Sequence, residues 1–193
     1  MTTVFFDVDT QLDFVCPAGA LYAPGAEALI PAIAALNRCA AARGQTVIST
    51  MDAHAEDDVE FRTWPHHCVA GTLGQRKAAA TLLNQRAIVA NGGERPDVRG
   101  AEQILVEKQT IDAFDNRHLA ALLAEINAER FVVYGVVTEV CVRRAAWGLL
   151  KTGARVEIVE DAVGHLNAED GRRTLRDFAD AGGYIVSAAD VLA

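Results

Sequence analysis

The chain has 193 residues, of which 51% are hydrophobic and 23% charged, and its formal net charge is −8 at pH 7. A chain of this length can bury one sizeable core, so we expect a single domain over residues 1–193. The acidic balance argues against a nucleic-acid partner and against binding to an anionic membrane surface.

The first residues contain no basic segment followed by an apolar stretch, and no uncharged apolar run reaches membrane-spanning length. The cysteines are far apart and form no CxxC pair; they are Cys16, Cys39, Cys68 and Cys141. This spacing is typical of a reduced intracellular protein rather than of a disulfide scaffold. We therefore expect a cytoplasmic protein that does not associate with membranes.

Apolar runs rich in β-branched residues alternate along the chain with alanine- and leucine-rich stretches. The first run, VFFDV at 4–8, predicts a strand. Apolar residues three and four positions apart then predict a helix over 26–43, which ends before Gly44. Further strands are predicted at 46–50, 104–108, 131–135, 156–160 and 184–188, and further helices at 117–129, 139–152 and 168–181.

Strands that are apolar throughout and separated by helices indicate a parallel sheet with both faces covered. The predicted fold is therefore an α/β three-layer sandwich with a doubly wound, mainly parallel, Rossmann-like sheet. Ligands of such folds bind outside the carboxyl ends of the strands. The residues that follow each predicted strand are therefore the first candidates for a functional site.

Three chemically reactive side chains follow three of these strands, namely Asp9, Lys108 and Cys141. A thiol is mostly protonated at neutral pH and needs a base or a positive field before it can attack. Lys108 and the start of a helix would supply that field, and Asp9 would take the proton. Residues of these types are also common as core cysteines and solvated charges, and Asp13 is typical of a turn. Spacing alone leaves both interpretations open.

Two motifs carry a resemblance to a known family. The segment D-T-Q-L-D-F at 9–14 resembles the D-x-Q-x-D-F motif of the isochorismatase-like hydrolases. The segment G-V-V-T-E-V-C-V at 135–142 is similar to their G-x-x-T-[DE]-x-C-V nucleophile motif. Both motifs occur in the order that the family uses, with Lys108 between them.

The resemblance implies a role for each matching residue. Asp9 would be the base, Lys108 the triad lysine and Cys141 the nucleophile. It also implies a cis peptide bond between Val136 and Val137, which would direct backbone N–H groups toward the oxyanion of the reaction.

A second group of polar residues follows the strand predicted at 46–50. Asp52 and His54 are two positions apart, so both side chains point to one side of an extended segment. A carboxylate and an imidazole, joined by a histidine from a nearby loop, would suit Zn²⁺, Mn²⁺ or Fe²⁺. The alternative is a polar surface loop, because five acidic residues lie between positions 52 and 60.

The D-x-H pair and the later W-P-x-H-C-V-x-G-T segment are similar to the metal motif of nicotinamidases. The resemblance implies that Asp52, His54 and His67 bind a divalent metal, with zinc the first choice and manganese or iron the alternatives. Glu60 is the candidate for a fourth ligand, ahead of Asp58. No organic cofactor is implied.

Two aromatic residues lie next to these motifs, and both could stack on a flat heteroaromatic ring. Such a contact by Phe14 or Trp64 would contribute about 1 kcal/mol beyond the burial of surface. An ordinary core role is the alternative for Phe14. His66 matches a non-ligand position and is expected at the rim of the site.

The resemblance implies a cysteine-dependent amidohydrolase that acts on a small-molecule amide and forms a homo-oligomer. Nicotinamidase is the leading interpretation, in which nicotinamide and water yield nicotinate and ammonia through a thioester. The alternatives are a related amidase for a carbamoyl, ureido or other small amide, and a non-catalytic relative. One departure bears on this choice: nicotinamidases usually carry a Tyr-Ser pair after the lysine, whereas this chain reads K-Q-T-I-D-A-F at 108–114.

Overall fold

Strands and helices alternate along the chain, and the computed structural model describes residues 1–193. The strands are β1 (Thr3–Val8), β2 (Thr46–Asp52), β3 (Arg86–Val89), β4 (Gln103–Lys108), β5 (Arg130–Val136), β6 (Arg155–Gly164) and β7 (Tyr184–Val186). The α-helices are α1 (Leu12–Val15), α2 (Ile30–Ala42), α3 (Leu119–Ile126), α4 (Arg143–Leu150), α5 (Ala168–Asp180) and α6 (Ala188–Leu192). Short 3-10 turns lie at Ala26–Leu29, Val59–Arg62, Ala79–Thr81 and Ala113–Asp115, and a π-helical turn lies at Thr138–Val142.

The seven strands are all parallel and form one sheet in the order β3-β4-β2-β1-β5-β6-β7. Strands β2 to β4 lie on one side of β1, and β5 to β7 lie on the other. The helices flank the sheet, with α2 packed against α6 and α4 packed against α5. The predicted doubly wound α/β fold is therefore confirmed. The reversal of strand order at β1 and β5 creates the crevice in which such folds bind ligands.

The strands predicted up to residue 160 are all present, and each extends at least one residue beyond its predicted bounds. The prediction at 184–188 is wrong in its last two residues. Ser187 instead caps the N-terminus of α6: its hydroxyl accepts the Asp190 N–H, and the Asp190 carboxylate accepts the Ser187 N–H at 2.9 Å. The sequence does not predict β3, since only four residues form this edge strand and Ile88 within it is exposed.

Three predicted helices differ from the structure at their ends. The helix predicted over 26–43 begins with a 3-10 turn before α2. The helix predicted over 117–129 is shorter, because Asn127 adopts a left-handed conformation (φ +49°) and ends α3. The helix predicted over 139–152 begins within the π-helical turn, and the regular α-helix starts only at Arg143.

The sheet is buried along most of its length, including all six positions of β1. Apolar residues from the strands and the surrounding helices form one large hydrophobic cluster. Polar side chains are nevertheless buried toward the carboxyl ends of the central strands, and they include Asp7, Asp9, Ser49, Thr50, Asp52 and Lys108. A buried polar group destabilises the fold unless it is hydrogen-bonded or paired. These residues therefore form hydrogen-bonded and ion-paired networks.

None of the helices has the length and apolar character needed to cross a membrane.

Gly135 marks a close approach of β5 to β1. Its φ is +114°, and a Cβ atom there would lie 2.1 Å from the carbonyl oxygen of Val8. We expect Gly135→Ala to lower the free energy of unfolding by about 3 kcal/mol or more, through strain and overpacking together. Gly153→Ala is the matched control, because Gly153 has φ +80° and open space around it. Gly153→Ala should lower the free energy of unfolding by only about 1 kcal/mol. Equal losses for the two variants in urea denaturation would contradict the close approach.

Candidate active site

The structure brings Asp9, Lys108 and Cys141 together at the carboxyl edge of the sheet. Asp9 directly follows β1, Lys108 ends β4, and Cys141 lies in the π-helical turn after β5. Lys108 Nζ lies 2.9 Å from Asp9 Oδ2 and 3.7 Å from Cys141 Sγ. Asp9 and Lys108 are 0% exposed, and Cys141 is 8% exposed. An acid, an ammonium and a thiol thus share one desolvated site.

Burial and charge act against each other in this site. Burial alone would lower the pKa of Lys108, but the carboxylates of Asp52 and Asp9 outweigh it and hold that pKa well above its usual value. Burial raises the pKa of Asp9, although Lys108 opposes the change. Burial likewise raises the pKa of the Cys141 thiol, again against Lys108. The two carboxylates therefore favour the charged form of Lys108, whose ammonium faces both Asp9 and the Cys141 thiol.

Cys141 lies in a turn whose backbone is unusual. The peptide bond between Val136 and Val137 is cis, at the position that the sequence resemblance implies. The N–H groups of Val140 and Val142 both donate to the Val137 carbonyl, at 3.1 and 3.0 Å. The Thr138 hydroxyl donates to the carbonyl of Gly164 at 2.7 Å and so anchors the turn to β6. The nucleophile candidate is held by a hydrogen-bonded turn rather than by a regular helix.

Asp52, His54 and His67 form a group that we call the metal cluster. Their potential ligand atoms all lie within 4.8 Å of one another. Asp52 Oδ2 lies 3.7 Å from His54 Nε2 and 3.6 Å from His67 Nε2. His54 Nε2 is buried and has no hydrogen-bond partner. The outer nitrogens are held in place, since His54 Nδ1 contacts Asp58 at 3.0 Å and His67 Nδ1 contacts the Pro65 carbonyl at 2.7 Å. The Nε2 atoms of both histidines face Asp52, and hydrogen-bonding contacts hold their Nδ1 atoms in place. This arrangement suits the binding of a divalent metal.

Two acidic residues considered as a fourth ligand have other positions. Asp58 contacts the outer nitrogen of His54, Nδ1, and so lies outside the metal cluster. Glu60 is also absent from the cluster, but its side chain lines the adjoining cavity. Burial raises the pKa of Glu60, and the nearby Asp52 carboxylate adds to the change. The structure therefore provides three ligand candidates, with Glu60 beside them.

Asp52 connects the two groups of residues. Its Oδ1 atom accepts a hydrogen bond from Lys108, while Oδ2 faces the two histidines. Burial alone would raise the pKa of Asp52, but the Lys108 ammonium and the histidines hold it below its usual value. Asp52 and Lys108 are also direct cross-strand neighbours on β2 and β4. One carboxylate thus serves both the ammonium and the metal cluster.

Sequence reasoning did not assign the contacts that Gln11 and Asp13 make. The Gln11 side chain donates to the Asp52 carbonyl at 2.8 Å and accepts the Asp52 N–H at 2.6 Å. The Asp13 carboxylate accepts the N–H of Cys68 at 2.7 Å, directly after His67 in the chain. The D-T-Q-L-D-F segment thus contacts one cluster residue, Asp52, through Gln11, and the neighbour of another, His67, through Asp13. The alternation of polar residues in this segment is the signal that could have indicated this.

A small, mostly apolar cavity lies between the cysteine and the metal cluster. Phe14 and Trp64 both line it, and the Phe14 ring centroid lies 5.4 Å from that of His67. His66 is exposed and stacks on Phe61 outside this wall. Sequence reasoning did not identify the remaining apolar wall, because it comes from ordinary loop and turn residues; these are Leu21, Ile111, Val140 and Leu166.

Comparison with known proteins agrees with this geometry. Residues 3–190 match the isochorismatase domain. The nicotinamidase of Escherichia coli is 26% identical over 211 aligned positions, which cover 95% of this chain and 93% of that protein.

Two solved structures are similar over almost their whole length. The pyrazinamidase of Pyrococcus horikoshii in complex with zinc is 28% identical, with a TM-score of 0.81 over 97% of this chain and 99% of that one. A protein of L. infantum in complex with nicotinate is 27% identical, with a TM-score of 0.77 over 97% and 93% of the two chains. The chain therefore belongs to the isochorismatase family, and it is an amidohydrolase.

Proposed function

We propose that this amidohydrolase converts nicotinamide and water to nicotinate and ammonia. One observation carries the proposal: Cys141, two residues of the metal cluster (Asp52 and His67) and the aromatic side chains of Phe14 and Trp64 all line the same small cavity. A mostly apolar cavity with a few polar groups at one end suits a flat heteroaromatic amide. The similarity to a nicotinamidase and to a nicotinate complex supports this substrate class.

The reaction would begin at the buried thiol. Asp9 Oδ2 accepts no hydrogen bond from another side chain apart from its ion pair with Lys108, so it is free to take the Cys141 proton. The thiolate attacks the amide carbon, and Lys108 stabilises the sulfur anion as it forms. Asp9 then donates its proton to the departing ammonia, which leaves a thioester. Water, deprotonated by Asp9, cleaves the thioester and releases nicotinate.

The oxyanion of the tetrahedral intermediate needs donors close to Cys141. The backbone N–H groups of Val137 and Cys141 are the proposed donors, because both residues line the cavity. One such donor typically accelerates acyl transfer by about 100- to 1000-fold.

Asp52, His54 and His67 would hold a divalent metal, for which zinc is our first choice because a similar pyrazinamidase contains it. When bound, the metal would orient the ring of the substrate through its nitrogen and withdraw electrons from it. Glu60 lies in the same wall and would face the bound ring.

A different small amide is the second candidate substrate. Ile111 lines the cavity in the segment after Lys108, where nicotinamidases usually carry Tyr-Ser. Ile111 offers no side-chain hydrogen bond at this position, and the alternative substrates are another pyridine carboxamide or a carbamoyl or ureido compound.

The substrate is tested by ammonia release from nicotinamide with the purified, metal-loaded protein. We expect turnover that falls by at least about a thousandfold in Cys141→Ala, because the nucleophile is removed. Cys39→Ala is the matched control, since Cys39 lies in α2, away from the cavity. A folded, metal-loaded wild-type protein that releases no ammonia would refute nicotinamide as the substrate. Other small amides would then be assayed with the same pair of variants.

The metal cluster is tested by elemental analysis of protein dialysed against zinc. We expect His54→Ala and His67→Ala to lose most of the bound zinc, because each removes one of three ligands. His66→Ala should retain it, since this adjacent histidine lies outside the cluster. Zinc retention by all three variants would show that the metal binds elsewhere.

A further inference from the structure

A second buried ion pair lies next to the active site, and the chemistry above does not use it. Lys77 Nζ lies 3.3 Å from Asp7 Oδ2 and donates to the carbonyl of Thr50 at 3.1 Å. Lys77 is 5% exposed and Asp7 is 0% exposed. Removing two charges from water is unfavourable, and apolar residues of similar volume are often at least as stabilising. A functional role would account for the presence of a charged pair here.

The Asp7 carboxylate is fully hydrogen-bonded and therefore fixed in place. Its Oδ1 atom accepts the Thr10 hydroxyl at 2.9 Å, and its Oδ2 atom accepts the Ser49 hydroxyl at 2.9 Å. The Asn37 amide approaches Oδ2 at 3.4 Å from α2. The fixed carboxylate in turn fixes the ammonium of Lys77 against Thr50.

Thr50 holds Asp9 through three contacts. Its carbonyl accepts the Asp9 N–H at 3.2 Å, and its hydroxyl lies 3.3 Å from the same N–H. The hydroxyl also donates to Asp9 Oδ1 at 2.7 Å, which leaves Oδ2 directed at Lys108. Asp9 has φ +48°, a left-handed conformation that a non-glycine residue keeps only when its surroundings impose it. Thr50 provides those surroundings.

We propose that Lys77 is a positioning residue for Asp9. Its ammonium holds the Thr50 carbonyl, and Thr50 holds Asp9 in the strained conformation that directs Oδ2 at Lys108 and the thiol. This inference rests on the proposed function, in which Asp9 is the base. Lys77 does not line the cavity, and its ammonium contacts Asp9 only indirectly, through the Thr50 carbonyl and the Asp7 carboxylate.

The test compares Lys77→Met with Asp7→Asn/Lys77→Met. Lys77→Met keeps the aliphatic stem but leaves Asp7 buried without a cation, so it lowers both stability and kcat. The double variant also removes that unpaired charge, so thermal stability should largely return. The Thr50 carbonyl still lacks its ammonium, and kcat should stay about 10- to 100-fold below wild type with KM nearly unchanged.

Phe178→Leu serves as the stability control, because Phe178 is a core residue of α5 outside the cavity. It should lower the melting temperature while kcat per folded molecule stays at the wild-type value. If kcat returns together with stability in the double variant, Lys77 is merely structural and the proposal is overturned.

Crystal structures of the wild type and of both Lys77 variants test the proposal without any substrate. We expect Asp9 to leave the left-handed region and its Oδ2 atom to move out of hydrogen-bond distance of Lys108 Nζ. An unchanged Asp9 in both variants would overturn the positioning role. Absence of wild-type turnover on nicotinamide would instead count against the proposed substrate, and the crystal structures would still decide the role of Lys77.

Discussion

The ammonium of Lys108 is the group on which the rest of the site depends. A cation with no exposed surface is strongly unfavourable unless anions and hydrogen bonds compensate it. Asp9 and Asp52 supply the anions, and the Thr110 carbonyl accepts a further hydrogen bond at 3.0 Å. Two carboxylates around one ammonium leave an excess of negative charge, which a divalent cation at Asp52 would offset. Asp9 and the Asp52–His54–His67 group are thus parts of one electrostatic arrangement.

Parallel strand pairing explains how four segments reach this ammonium. Strands β4, β2, β1 and β5 are successive neighbours, and all four end at the same edge of the sheet. Asp52 and Lys108 are in register across β2 and β4, so their side chains emerge side by side. Cys141 follows β5, which pairs with β1 on the side opposite to β2 and β4. The close contact of β1 and β5 at Gly135 keeps that side within reach of Asp9.

Two of the side chains that hold the site residues, Gln11 and Thr50, are as deeply buried as those residues, whereas Asp58 is partly exposed. Gln11 is 0% exposed and pairs with both backbone groups of Asp52. Thr50 holds Asp9, and Asp58 orients His54. Oriented supporting contacts of this kind fix ligand geometry and lower the reorganisation needed during reaction. Much of the buried polar content of this sheet is therefore explained by the site.

The resemblance to a known family supplied His67 and the roles of the clustered residues. The sequence pattern otherwise predicted the α/β class, most of the strands and the position of Asp9, Lys108 and Cys141 at one edge of the sheet. It could do so because apolar periodicity is local and because parallel strands place their ends together. Three relations became visible only in the folded chain: Asp58 orients His54, Glu60 lines the cavity outside the metal cluster, and Lys77 contacts the Thr50 carbonyl. These relations join residues from separate segments through side-chain directions and distances, which local sequence patterns do not encode.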